Sequence, residues 1–84
     1  MNQNIKARVY QRGTKDQAKF MARISGMNEE QEKLFLLLHD GKDDDFIRDV
    51  LGLSKKSFDR VEDAVRVKLL LAVFDCINYT MEHR

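Results

Sequence analysis

Leu51-Gly52-Leu53-Ser54 decides how this chain of 84 residues folds. One apolar-periodic segment runs up to it (Phe46, Ile47, Val50, Leu51) and another leaves it (Phe58, Val61, Val65, Leu69). Gly52 can adopt the positive φ that ends a helix within a residue or two. Leu53 is then placed to plug the corner, and Ser54 to cap the helix that follows. A short helix, a glycine turn of this length and an immediate restart make a helix-turn-helix.

Working back from the corner, Asp43 is placed to cap the short helix, whose inward positions are expected at Phe46, Ile47, Val50 and Leu51. Before it, Asn28-Glu29-Glu30-Gln31 reads as a capping box that opens a helix with its glutamates at the positive end of the dipole. Leu34, Phe35 and Leu38 form the buried stripe of that helix, widened by Leu36 and Leu37, and His39-Asp40-Gly41 stops it. Thr14-Lys15-Asp16-Gln17 repeats the start signal. The helix it opens carries Ala18, Met21 and Ala22, with Phe20 and Ile24 expected around the same side, and ends at Ser25-Gly26. Working forward, the helix after Ser54 meets no breaker before the C-terminus. From Val67 to Ile77 it is apolar nearly all round, more than one small domain can cover.

The expected fold is therefore all-α: a small helical domain with a helix-turn-helix and a long C-terminal helix. Residues 1–13 form a basic N-terminal arm and residues 14–84 the helical domain. Composition agrees, with no proline, four glycines and a 43% hydrophobic share. The excess apolar surface over residues 67–81 has two possible covers: a second copy, making a homodimer, or the N-terminal segment folded back.

Charge is nearly balanced overall at +1 but unevenly spread. Residues 1–26 hold six basic side chains against Asp16 alone, while residues 27–53 hold three basic against eight acidic. Residues 54–84 return to six against five. Such segregation lets one surface attract phosphate while another repels it, although solvated helix faces account for it equally well. The basic cluster Lys6, Arg8 and Arg12 fits either an arm along DNA or a solubilising tail.

Several chemistries are disfavoured. Asp43-Asp44-Asp45 lacks the alternation, central glycine and closing glutamate of a calcium loop, and helix capping explains it better. His39 and His83 have no Cys or His at zinc-ligand spacing, and Cys76 lies in an apolar run as a small core residue. Neither a phosphate-binding glycine loop nor a Ser/His/Asp constellation can be assembled, so no enzyme and no cofactor are expected. A single cysteine, no signal pattern and no membrane-length apolar run point to the cytoplasm and away from a membrane.

From Met27 to about Leu69 the chain resembles the helix-turn-helix of sigma factor region 4 and of LuxR-type response regulators. The resemblance rests on the acidic, leucine-rich helix from Asn28-Glu29-Glu30-Gln31 to Leu38 and the glycine loop Asp40-Gly41-Lys42. It continues through Leu51-Gly52-Leu53-Ser54, then Ser54-Lys55-Lys56-Ser57-Phe58 in place of Ser-x-x-Thr-Val, and the basic-Leu pair Lys68-Leu69. The chain departs at Ile47-Arg48, where the family has Ile-Ala, and at Phe46, where a glutamate is common.

The resemblance implies that the helix after Ser54 enters a DNA major groove. Its outward residues would be Lys55, Lys56, Ser57, Asp59 and Arg60, with Phe58 and Val61 turned inward. Arg60 suits bidentate pairing with guanine, Asp59 a cytosine amino group, and Lys55, Lys56 and Ser57 suit phosphate. Local ion pairs of Asp59 and Asp63 with Lys56 and Arg60 are the plain alternative. Two functions stay open: a sequence-specific duplex-DNA-binding transcription regulator acting as a dimer, or an interaction module of the same fold. The module would bind RNA polymerase, a sigma-type factor or another regulatory protein.

Overall fold

Every helix start carries its capping group. The computed structural model describes the backbone of residues 9–82 and the side chains of residues 9–72. Among the described residues four helices follow in order: α1 (Lys15–Ile24), α2 (Glu29–His39), α3 (Asp44–Leu51) and α4 (Lys55–Glu82). Thr14 and Gln17 exchange bonds across the start of α1, Gln17 N–H donating to Thr14 Oγ1 at 3.2 Å and Thr14 N–H to Gln17 Oε1 at 2.9 Å. Asn28 and Gln31 do the same for α2 at 2.8 and 3.0 Å, and Asp43 accepts from Phe46 N–H at 2.8 Å for α3. These bonds satisfy amide groups that have no partner within the helix. The arm residues Lys6 and Arg8, Cys76, His83 and the side chains of the 67–81 face beyond residue 72 lie outside the described residues.

The core is built around α2, which packs against each of the other three helices. Leu34, Phe35 and Leu38 of α2 meet Ala18 and Ala22 of α1, Ile47 of α3, and Phe58, Val65 and Leu69 of α4. The two alanines let α1 lie close to α2 without a large side chain between them. Lys68 joins the layers through its polar end. Its ammonium donates to Gly26 O at 2.9 Å and to Gln31 Oε1, tying the α1–α2 corner to α4. On the other side, His39 Nε2 lies 3.0 Å from Gly13 O and holds the segment before α1 against the end of α2.

Tyr10 belongs to this core although the arm was expected to end at residue 13. Its side chain is 1% exposed and meets the Phe35 ring edge-on at 6.4 Å between centroids. Its hydroxyl finds no hydrogen-bond partner among the described residues. Burial pushes the tyrosine pKa up to about 12; Glu62 and Asp63 push the same way and Arg66 opposes them.

Four apolar positions depart from expectation. Phe20 and Ile24 lie on the exposed side of α1, because each sits 200° around the helix from Ala18 or Ala22 respectively. Phe46 and Val50 of α3 are exposed as well, and only Ile47 is fully inside, with Leu51 half-buried beside it. α3 has only two turns and packs chiefly on α2, so a single ridge of it is covered. Glu62 is the converse case, a carboxylate buried within the apolar stripe of α4.

Two outcomes test this architecture. Tyr10 gives a pH signature whose sign follows from its raised pKa: the unfolded phenol ionises near pH 10 and the folded one near 12. Its contribution is therefore complete below pH 10 and lost as pH rises toward 12, by about 2 kcal/mol in urea unfolding. Tyr10→Phe should match or exceed the wild type at pH 7, since no hydroxyl bond is broken, and gain further on it between pH 10 and 12. A Tyr10→Phe protein much weaker at pH 7 would mean that the hydroxyl is bonded. Replacing Gly52, whose φ is 68° with open space where a Cβ would stand, isolates backbone strain. Gly52→Ala should cost about 1 kcal/mol and lower Tm by roughly 4–8 °C.

Candidate nucleic-acid interface

Gly52 (φ 68°, ψ 35°) turns the chain out of α3 in the left-handed region. Leu53 N–H then donates back to Arg48 O at 2.9 Å and Gly52 N–H to Asp49 O at 3.4 Å, the bond pair of a Schellman motif. The same paired closure ends α1 at Gly26-Met27 and α2 at Gly41-Lys42. Arg48 adds a side-chain brace across this corner. Its Nε donates to Leu53 O at 3.4 Å, and its guanidinium lies 3.7 Å from Asp45. A large side chain thus stands where the resembled families keep a small one, and it spans the turn from outside instead of separating the helices.

Ser54 starts α4. Its Oγ accepts from Ser57 N–H at 3.2 Å and donates to Ser57 Oγ at 3.1 Å, while Phe58 N–H reaches Ser54 O at 2.8 Å. Phe58 is buried, which fixes the rotation of the helix start and turns its neighbours outward. Lys55, Lys56, Asp59 and Arg60 are exposed and Ser57 is half-buried. All five expected contact residues therefore lie within the first turns of one helix, with Ser57 partly occupied by the cap.

Asp63 pairs with Arg66, not with Arg60, and among the described residues Lys55, Lys56 and Arg60 enter no ion pair. The local pairing that competes with a ligand is thus missing for these three cations. α4 also has no acidic residue in its first turn, whereas α1, α2 and α3 each have one or more. No acidic side chain of that turn offsets its positive end.

Beside this face the sign reverses. Asp45 and Asp49 border a cleft of about 360 Å³ under the corner, together with Arg48, Gly52 and Leu53. Phe46 and Val50 are exposed one turn apart on the same helix, with the Lys42 ammonium 5.2 Å above the Phe46 ring. The sequence alone places both apolar side chains inward and so does not disclose this acidic and apolar surface. Short length was the only available signal, since two turns cannot bury four apolar residues unless neighbours flank both sides.

Among the described residues, no three His, Cys, Asp or Glu side chains gather as a metal site, and no helix is long and apolar enough to cross a membrane. Comparison with protein-family models, with curated proteins and with solved structures finds no match to this chain.

The cap gives a direct test of how the face is held. Ser54→Ala removes the acceptor for Ser57 N–H and should cost about 1 kcal/mol in urea unfolding. Ser54→Asp, which restores an acceptor, should recover most of that loss; equal losses for both would show that the loss does not come from the cap bond, and no loss for Ser54→Ala would show that the cap contributes nothing.

Proposed function

We propose that this chain is a duplex-DNA-binding transcription regulator that reads sequence with the start of α4. The observation that carries the reading is the set of exposed cations Lys55, Lys56 and Arg60, without an ion pair among the described residues, on a helix whose first turn has no acidic residue. A major groove admits one α-helix, and a helix entering by its N-terminal end brings side chains and free amides to the DNA together. In this reading Lys55, Lys56 and the Ser57 end of the helix hold phosphate and set the register. Arg60, one turn beyond Lys56, donates two bonds to guanine O6 and N7, and Asp59 accepts from a cytosine amino group. The chain works without catalysis or cofactor, in the cytoplasm.

The acidic residues of α3 constrain the approach. Asp45 and Asp49 would repel phosphate, so the duplex must contact α4 and the residues beyond the corner, leaving the α3 surface free. A second reading rests on that surface: Phe46 and Val50 are exposed beside Asp45 and Asp49, the pattern of a seat for a basic, apolar protein segment. In that case the chain is an interaction module, and RNA polymerase or a sigma-type factor is the class of partner to test.

Selection from a random duplex pool, followed by binding measured across salt concentrations, separates the two. DNA binding should weaken steeply as salt rises, as counterion release requires. Arg60→Ala should lower affinity for the selected site by about 1–3 kcal/mol and relax its sequence preference, while Lys56→Ala should weaken all sequences alike and reduce the salt slope by about one. Absence of affinity for mixed-sequence duplex at low salt would overturn the DNA reading and leave the protein-binding one.

A further inference from the structure

We infer that the groove between the Tyr10 segment, α1 and α4 is the seat of a second copy of this chain. This goes beyond the DNA reading and does not rest on it.

The groove has a volume of about 970 Å³ and largely apolar walls, built by Tyr10, Ala18, Met21, Phe35, Leu69 and Leu70. It does not end at its rim. Phe20, on its α1 side, is 63% exposed and Leu70, on its α4 side, 64%. Leu71 is 58% exposed, and Val67 lies one turn before Leu70 and Leu71 on the same face of α4. With Val9, these side chains present on the order of 500 Å² of apolar surface, at the upper range of the largest patch that a typical monomer leaves in water. That amounts to more than half of the roughly 800 Å² that each partner gives to a standard interface.

Three observations favour a copy of the chain over another occupant. The surface pairs a ridge (Val67, Leu70, Leu71) with a hollow beside it, and a twofold axis needs both on one face so that each copy fills the other. Arg12, Asp16 and Arg66 line the groove, and with Arg66 paired to Asp63 the groove leaves Arg12 and Asp16 as opposite charges on that face, so two copies can oppose unlike signs. The formal net charge of +1 leaves little repulsion between copies. Seated this way, the Val67–Leu71 ridge of one copy covers the Phe20 side of the other. The Lys55–Arg60 face lies more than one helical turn away along α4 and stays open.

Sedimentation of the full chain without DNA tests the proposal. From micromolar to near-millimolar concentration the mass should move from 9.9 kDa toward twice that value. Leu70→Glu and Phe20→Glu, each at a position already exposed in the single copy, should raise the dissociation constant at least about tenfold. Their helical circular dichroism should remain that of the wild type. Val50→Glu, an equally exposed apolar position on α3, is the control and should leave association unchanged. A wild type that stays at 9.9 kDa throughout would overturn the inference. So would dissociation by Val50→Glu in place of Leu70→Glu, or association untouched by both groove variants. None of these results bears on DNA affinity, so failure here is distinct from failure of the DNA reading.

Discussion

The burial of Phe58, Val65 and Leu69 against α2 fixes the rotation of α4, and most of what this protein presents to its surroundings follows from that one constraint. At 3.6 residues per turn, burying these three places Lys56, Arg60, Asp63, Val67 and Leu70 on the opposite strip, at spacings of four and three residues. The strip is charged near the corner and apolar farther along. The cationic face and the apolar ridge are therefore two lengths of a single outward surface, and a rotation of α4 by one residue would disturb both. Gly52 and Ser54 set where this helix begins; Phe58 sets which way it faces.

Signals that act over three or four residues were legible in the sequence, and those that depend on distant neighbours were not. The capping pairs Thr14–Gln17 and Asn28–Gln31, the Asp43 cap and the positive-φ corner at Gly52 all form as the local pattern requires. The stripe Leu34, Phe35, Leu38 is buried because α2 is flanked by three helices, so a broad apolar face finds cover. Phe20, Ile24, Phe46 and Val50 look equally apolar in sequence, but no described element covers them. Periodicity reports which residues share a face, whereas burial depends on whether another element covers that face. Glu62 shows the limit from the other side. It occupies a stripe position by spacing and is buried with Tyr10 close enough to feel its charge, which no window around Glu62 discloses.

Two basic residues changed role in the structure. Arg48 was a departure from a resembled pattern and serves as a brace across the corner, donating to Leu53 O while held near Asp45. Lys68 matched that pattern as half of a basic-Leu pair, and its ammonium is occupied in joining the α1–α2 corner to α4. Both are bonded to backbone carbonyls in the turns between helices. Subtracting them from the basic residues of α3 and the described part of α4 leaves Lys55, Lys56, Arg60 and Arg66, the last of which pairs with Asp63. The candidate contact residues were thus legible as a set, but only the structure separates them from cations already committed to the fold.

The length of α4 bears on the same question from the side of cost. Its backbone is helical over 28 residues, about 42 Å, yet its last side chain in the described core is Leu69. Each further residue ordered costs roughly 1–2 kcal/mol of backbone entropy, and an isolated helix of a dozen residues is marginal in water. Internal hydrogen bonds alone offset that cost poorly, and the exposed Leu70 and Leu71 add a solvation penalty in a lone copy. Covering those leucines removes the penalty and supports the helix that carries them. The same association would hold α4, whose other end bears the Lys55–Arg60 face, as one rigid rod. In such a pair the apolar half of the helix would support the charged half without contact between the two.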